Sequence, residues 1–309
     1  MDRNLKIITA ADNTYSEHLA VMLCSLFENK SPCTSIDIYV ITDGIHPKNK
    51  RRLSTLERRY GFKISYLRVN KSDYSHMPIS QHVNHSTYFR ISIPDVMGPL
   101  CEKILYLDSD MIVERDLANL WNIPLGEQYL AAVPNSYSSQ ARAQIHKISP
   151  PEYYFNAGMM LMNLKKWRFD QISEKVRAFI EQNKDKIEFW DQDGINAIIK
   201  NSYVRLPPTY NMLNSFYEIP AEKETVLNIY GDETFEHPHI IHFTGSEKPW
   251  NILSSHPHKK LYRFYFHKTP WRFSLPPDIT YLNIKKLSAR KFPVFFRFLK
   301  AVKSRIINV

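Results

Sequence analysis

The sequence predicts an α/β protein with a largely parallel sheet covered by helices on both faces. Three observations point there. Strand-like and helix-like patterns alternate from the start of the chain, in a β-α-β-α-β rhythm. The 309 residues are 43% hydrophobic and include 18 Tyr and 17 Phe, enough to bury a full core and inconsistent with disorder. Two carboxylates follow an apolar run, at the strand end where open α/β sheets commonly bind their ligands.

The elements follow in order. Residues 5–9 read as a strand. Residues 16–27 read as a helix with Leu19, Leu23, Leu26 and Phe27 on one side. Residues 36–41 are a second strand, 47–60 a charged helix and 62–69 a third strand. Residues 86–96 contain a short helix, and 103–107 form a strand that carries the acids at its end. Beyond this the pattern is less regular: strand 158–163, helices 169–183 and 191–200, a loop-rich stretch to 236, and strand 238–243. No internal repeat or low-complexity segment is present. The composition changes near Ser255, which divides the chain into a body, 1–255, and a basic aromatic tail, 256–309.

Charge is concentrated in that tail. The net charge is +10, yet residues 259–309 carry 13 Lys or Arg against the single acid Asp278, so the tail is +12 and the remainder −2. Pro293 suits the first position of a helix. On that helix Phe292, Phe295, Phe296, Leu299, Val302 and Ile306 share one face. Arg297, Lys300 and Arg305 lie off the face, and Lys303 has to snorkel. A basic amphipathic helix with aromatics suits an anionic membrane surface, where each basic residue contributes about 1 kcal/mol. The alternatives are a helix packed on the body and, least favoured, a nucleic-acid contact; the reading adopted has no nucleic-acid partner. No run of 18 apolar residues exists and no secretory pattern precedes the first strand. Cys24, Cys33 and Cys101 are odd in number and have no metal spacing, so reduced, inert thiols in a cytosolic protein are expected.

The most informative segment is Ile104-Leu105-Tyr106-Leu107-Asp108-Ser109-Asp110-Met111-Ile112-Val113. Acids at the end of a buried strand need a neutraliser, and a divalent cation bridging to a phosphate is the obvious one. Taken alone, Asp-any-Asp is a weak signal: Asp191 and Asp193 repeat it, and the plain alternative is a strand end with solvated acids. With only 8 Gly there is no glycine-rich phosphate loop, and the first strand ends in Ala10-Ala11-Asp12-Asn13-Thr14-Tyr15. A bound diphosphate would therefore depend on a metal and on basic side chains such as Arg90 and Lys248.

Several collinear segments together resemble glycosyltransferase family 8, the retaining enzymes that include bacterial lipooligosaccharide α-galactosyltransferases. They are Ala10-Ala11-Asp12, Ser86-Thr87-Tyr88-Phe89-Arg90, Leu105 to Asp110, Tyr154-Phe155-Asn156-Ala157-Gly158, Asn163-Leu164-Lys165-Lys166-Trp167, Asp191-Gln192-Asp193 and the run from His242 to Trp250. The resemblance covers roughly residues 4–255. It implies a glycosyltransferase A-type fold, a Rossmann-like mixed sheet in which a nucleotide-binding half merges with an acceptor-binding half.

The resemblance also implies roles. Asp108, Asp110 and His242 would hold Mn²⁺, or alternatively Mg²⁺, against the diphosphate. Lys248 would reach its oxygens, with Gly245 allowing close backbone approach and Trp250 supporting the loop. Ala10, Asp12 and Tyr15 resemble a uridine pocket, although an Asp after a strand is otherwise usually a helix cap. Thr14 replaces the Asn usual before the Tyr. Arg90, Asn156, Asp191 and Gln192 look like the donor-sugar shell, the alternative for Asp191 and Asp193 being caps of the following helix. His82 and Thr244 match acceptor-side positions.

The expectation is thus an Mn²⁺-dependent retaining α-glycosyltransferase moving a hexose, galactose before glucose, from a UDP-sugar to a glycan or glycolipid acceptor such as lipooligosaccharide. It would be cytoplasmic and peripheral on the inner face of the cytoplasmic membrane. One rival is a sugar nucleotidyltransferase, which would carry a glycine-rich, arginine-containing signature after the first strand. Another is a non-catalytic nucleotide-sugar-binding or stress protein on the same fold, which would be expected to have lost metal or donor-sugar residues.

Overall fold

A computed structural model of the chain describes residues 2–69, 74, 77, 85–135, 140–149 and 154–291. In chain order the elements are β1 (Asn4–Ala10), α1 (Ser16–Asn29), β2 (Ser35–Thr42), α2 (Pro47–Tyr60), β3 (Ile64–Arg68), α3 (Ile93–Val96), β4 (Lys103–Leu107), β5 (Met111–Val113), α4 (Ala118–Trp121), β6 (Leu130–Ala132), α5 (Gln140–Ile145), β7 (Met159–Asn163), α6 (Leu164–Phe169), α7 (Ile172–Gln182), α8 (Trp190–Ile199), β8 (Tyr203–Arg205), β9 (Met212–Leu213), α9 (Ser215–Glu218), α10 (Pro220–Tyr230), α11 (Glu233–Glu236), β10 (Ile240–His242), α12 (Lys259–Lys268) and α13 (Tyr281–Lys291). A 3₁₀ helix over His85–Ser92 leads into α3.

The main sheet has the order β3-β2-β1-β4-β7-β6-β8. Strands β1 to β4 pair in parallel, β7 runs antiparallel to β4 and β6, and β6 and β8 are parallel. Side chains alternate strictly between two cores, as strand geometry requires. Leu105, Leu107, Met159 and Leu161 face the core beneath α1 and α2, which supply Leu19, Leu23, Leu53 and Leu56. Ile104, Tyr106, Met160 and Met162 face the opposite core, with Tyr88, Phe89, Val176, Ile180 and Ile195. The mixed α/β sheet flanked by helices is therefore as expected.

Local chemistry sets the element ends. Pro47 opens α2 and Gly61, at φ 70°, ends it, the usual proline–glycine asymmetry. Asn163 closes β7 and caps α6, accepting from the Lys166 N–H at 3.1 Å. The helix expected over 169–183 is α7, which starts only at Ile172 because Gln171 takes φ 53°, and the short α6 precedes it. The stretch expected to be loop-rich contains β8, β9 and α9 to α11. Three-residue strands such as β6 and β8 are too short to show a period.

A second sheet, β5-β10-β9, packs beside the first. Its core includes Ile112, Ile241 and Phe243, together with Val21 and Cys24 of α1 and Tyr262 and Tyr265 of α12. Residues immediately after Ser255 therefore pack on the body, and Trp271 joins the main core. Helix α13 carries Lys285, Lys286 and Arg290 with Leu282 and Ile284 exposed. The expected helix opening at Pro293 lies outside the described residues.

Candidate active site

The second apolar run after Asp110 is what assembles the site. It forms β5, which pairs antiparallel with β10 so that His242 lies opposite Met111. The Phe243 N–H donates to the Asp110 carbonyl at 3.1 Å. His242 Nε2 therefore stands 3.5 Å from Asp108 Oδ2 and 3.4 Å from Asp110 Oδ1. One ligand atom from each of the three lies within 4.8 Å of the others.

This arrangement fits a divalent cation. Two carboxylates and one imidazole are an acceptable donor set for Mn²⁺, and ligands adjacent around such an ion stand roughly 3 Å apart. Gly158 makes the space. A Cβ there would lie 2.2 Å from His242 Cε1 and 2.7 Å from Asp108 Oδ2. The Gly158 carbonyl also accepts the Asp108 N–H at 2.8 Å.

A buried residue not singled out in the sequence orients the imidazole. Asn211 is 0% exposed, and its Oδ1 lies 3.0 Å from His242 Nδ1. The Asn211 Nδ2 donates to Asn156 Oδ1 at 2.9 Å, so its oxygen is left to accept from the ring. Nδ1 then carries the proton and Nε2 presents its lone pair to the carboxylates, the tautomer a metal ligand needs. Asn156 Oδ1 also accepts the Gly158 N–H at 3.0 Å, and its Nδ2 donates to Gln192 Oε1 at 3.3 Å. No local pattern around Asn211 marks it, because its partners come from distant segments.

Lys248 closes the site from the loop after β10. Its ammonium donates to Asp110 Oδ2 at 2.7 Å and to the Phe243 carbonyl. Burial pushes the Asp110 carboxyl up, but the Lys248 ammonium opposes it and the group is held well below its ordinary range. Gly245 provides φ 71° in this loop. Asn214 ties the loop down by donating to the Thr244 and Glu247 carbonyls. Trp250 stacks on His18 of α1 at 3.6 Å between ring centroids, and His18 Nδ1 lies 2.7 Å from the Tyr262 hydroxyl of α12.

Arg90 links the acids to the expected sugar shell. It is buried, with Nε 2.7 Å from Asp191 Oδ2, Nη2 3.3 Å from Asp108 Oδ1, and Nη1 donating to the Ala157 carbonyl at 2.6 Å. Burial raises the Asp191 carboxyl to about 7, with Arg90 opposing and Asp108 adding to the rise. Tyr106 donates to Asp108 Oδ1 at 2.5 Å and offers its ring to Arg90. Gln192 Oε1 accepts from Asn156 and from the Ala157 N–H at 3.0 Å. Arg90, Asn156, Asp191 and Gln192 thus form one connected group with the triad.

At the end of β1, Asp12 Oδ1 accepts from the Thr14 and Tyr15 N–H groups, each at 2.9 Å, and from the Thr14 hydroxyl, a side-chain turn leading into α1. Tyr15 makes edge contacts with His18 and Trp250. Burial, then Asp110, Asp12 and Asp108, push its phenol up. Ala10 ends β1 half-buried. His82 lies outside the described residues.

A family model described as glycosyl transferase family 8 matches residues 6–253. Among similar proteins, the general stress protein A of Bacillus subtilis (strain 168) is 33% identical, over 87% of this chain and 96% of its own. A lipopolysaccharide 1,2-glucosyltransferase of Escherichia coli (strain K12) is 27% identical, over 89% and 81%. Among solved structures, the galactosyltransferase LgtC in complex with donor and acceptor sugar analogs superposes with a TM-score of 0.77 at 27% identity, covering 87% of this chain and 99% of that one.

Proposed function

The chain belongs to glycosyl transferase family 8, and from that premise we propose that it is an Mn²⁺-dependent retaining α-glycosyltransferase moving a hexose from a UDP-sugar to a membrane-borne glycan. Galactose is the first choice of sugar and glucose the second, and lipooligosaccharide is the acceptor class. One observation carries the reading: Asp108, Asp110 and His242 converge at a cradle that only Gly158 leaves open, with Lys248 beside them.

Asp108, Asp110 and His242 would hold the cation, which when bound stabilises negative charge on a diphosphate. Lys248 shifts from Asp110 to the diphosphate oxygens and stabilises the charge that develops there. Ala10, Asp12 and Tyr15 take the uridine, and Arg90 orients Asp191 against sugar hydroxyls. As the bond from the anomeric carbon to phosphate oxygen breaks, the electron pair leaves with UDP. The acceptor hydroxyl attacks from the same face and gives its proton to the departing phosphate oxygen. Gln192 and Asn156 face the sugar during this step.

Exposed apolar side chains near the tail support membrane docking. Phe273 and Tyr281 are 84% and 77% exposed, among Lys268, Arg272, Lys285, Lys286 and Arg290. No helix of the described residues is long and apolar enough to cross a membrane. Attachment to the inner face of the cytoplasmic membrane would hold the enzyme beside a lipid-borne acceptor. The second reading is a protein that binds nucleotide sugars without turning them over; it would be expected to have lost metal or donor-sugar residues, whereas Asp108, Asp110, His242, Arg90, Asn156, Asp191 and Gln192 are all present.

The test is UDP release from UDP-galactose, UDP-glucose and their N-acetyl forms, with Mn²⁺ and with a chelator. Epimers leave buried polar groups unpaired at about 1–3 kcal/mol each, so one hexose should be hydrolysed at least tenfold faster than its epimer, and chelation should stop the reaction. Binding without release selects the second reading.

A further inference from the structure

Two residues of the donor-sugar shell, Asp191 and Gln192, stand on the first turn of α8, and a second buried network holds that turn from the opposite side. Successive helical residues are about 100° apart, so Asp191 and Asp193 project in nearly opposite directions. Asp191 faces Arg90. Asp193 is 0% exposed and faces α5. It accepts from the Arg142 guanidinium, from His146 Nε2 at 3.2 Å, from the Tyr154 hydroxyl at 2.6 Å, and from the Glu188 and Phe189 N–H groups at 2.8 and 3.0 Å. A carboxylate so fully engaged, and aimed away from the triad, is not available as a nucleophile below the sugar ring. Its contacts to the backbone ahead of α8 do the work of the acid in a capping box.

The same network dictates how Gln192 is presented. The Tyr154 hydroxyl gives its proton to Asp193, so toward Gln192 Nε2, 3.3 Å away, it can only accept. Gln192 must therefore turn its NH₂ to Tyr154 and its oxygen to Asn156 and the Ala157 N–H. Arg142 meanwhile spans the approach to α8, donating to the Lys186 carbonyl and to Glu188 Oε2 as well as to Asp193.

We propose that Arg142 and His146 are positioning residues of the transfer reaction, which through Asp193 and Tyr154 fix the turn that carries Asp191 and the amide orientation of Gln192. The inference rests on the glycosyltransferase reading above. A shell set this way matters most when the bonds at the anomeric carbon rearrange, so disturbing it acts on kcat rather than on donor binding.

The full-length chain is assayed for UDP release with Mn²⁺ and the preferred UDP-hexose, as wild type, Arg142→Lys, Arg142→Ala and Tyr154→Phe. Lysine keeps the charge, but its donors radiate from one nitrogen and cannot span acceptors met by the separate nitrogens of the guanidinium fork. Arg142→Lys and Tyr154→Phe should each lower kcat at least tenfold with KM within threefold of wild type. Millimolar guanidinium should restore part of the kcat of Arg142→Ala, and sodium chloride at equal ionic strength should not. A merely structural network predicts a lower Tm or a smaller active fraction, with kcat per folded enzyme unchanged and no rescue; that result overturns the proposal. If Arg142 variants do not fold, Tyr154→Phe decides, and a kcat within twofold of wild type overturns it. A wild type that releases no UDP from any donor refutes the underlying reading instead.

Discussion

Gly158 is where a single atom decides the chemistry. Its φ is ordinary, so the constraint is space: a methyl group would collide with His242 Cε1 at 2.2 Å and with Asp108 Oδ2 at 2.7 Å. Neither neighbour can yield cheaply, because Asn211 holds the imidazole and Tyr106 and Arg90 hold the carboxylate. Gly158→Ala should therefore push the ligands apart. We expect Mn²⁺ affinity, measured by titration, to fall by about 10–100-fold or more, the scale seen when the surroundings of a metal ligand are disturbed. UDP release should fall at least as far. Unchanged Mn²⁺ affinity in a folded Gly158→Ala protein would show that the triad does not bind the ion.

Two elements carry most of the site's architecture, the β5–β10 pair and α8. The first places a histidine opposite a strand more than a hundred residues away in sequence, and the second gives its two acids to opposite sides. Burial raises the Asp193 carboxyl, but His146, Arg142, Tyr154 and the Glu188 N–H outweigh it and hold it below its ordinary 3.8. The linkage is that of a depressed acid: its stabilisation is complete above pH 4 and is lost as the pH falls toward its folded-state value. Asp193→Asn leaves Arg142 without its buried partner, which should cost about 3–5 kcal/mol at pH 7. The difference in unfolding free energy between wild type and this variant should shrink as the pH falls below 4. A difference constant from pH 7 to pH 3 would mean that the carboxylate's charge contributes nothing.

At the scale of the whole molecule, the C-terminal region has two parts with different physics. Helix α12 buries Tyr262 and Tyr265 against α1 and the small sheet, and Tyr262 reaches His18 beneath the Lys248 loop. Burying such side chains contributes about 1.5–3 kcal/mol each. Helix α13 instead leaves Tyr281, Leu282 and Ile284 exposed beside Lys285 and Lys286. Removing residues 256–309 should lower stability by several kcal/mol and abolish UDP release. Removing only 285–309 should leave hydrolysis within a few-fold of the intact chain while releasing it from anionic vesicles. Salt should likewise weaken vesicle binding of the intact chain, since a charged surface is screened within a Debye length. An intact chain that ignores anionic vesicles at low salt, or an unfolded 285–309 deletion, would refute the docking role.

The sequence by itself determined the sheet-and-helix order through β4, because those segments are long enough to show a period, and Pro47 and Gly61 mark the ends of α2 among them. It also determined the family, through collinear motifs that include both Asp108-Ser109-Asp110 and the run from His242 to Trp250. Only the tertiary structure decided what those residues touch. The pairing of β5 with β10 brings His242 to the acids, and a three-residue strand is too short to announce its partner. Asn211, Gly158, Arg142, His146 and His18 acquire their roles from groups brought together by folding across tens to hundreds of residues. Hydrogen bonds and steric contacts act over a few ångströms, so composition and spacing along the chain hold no record of them until the fold closes the distance.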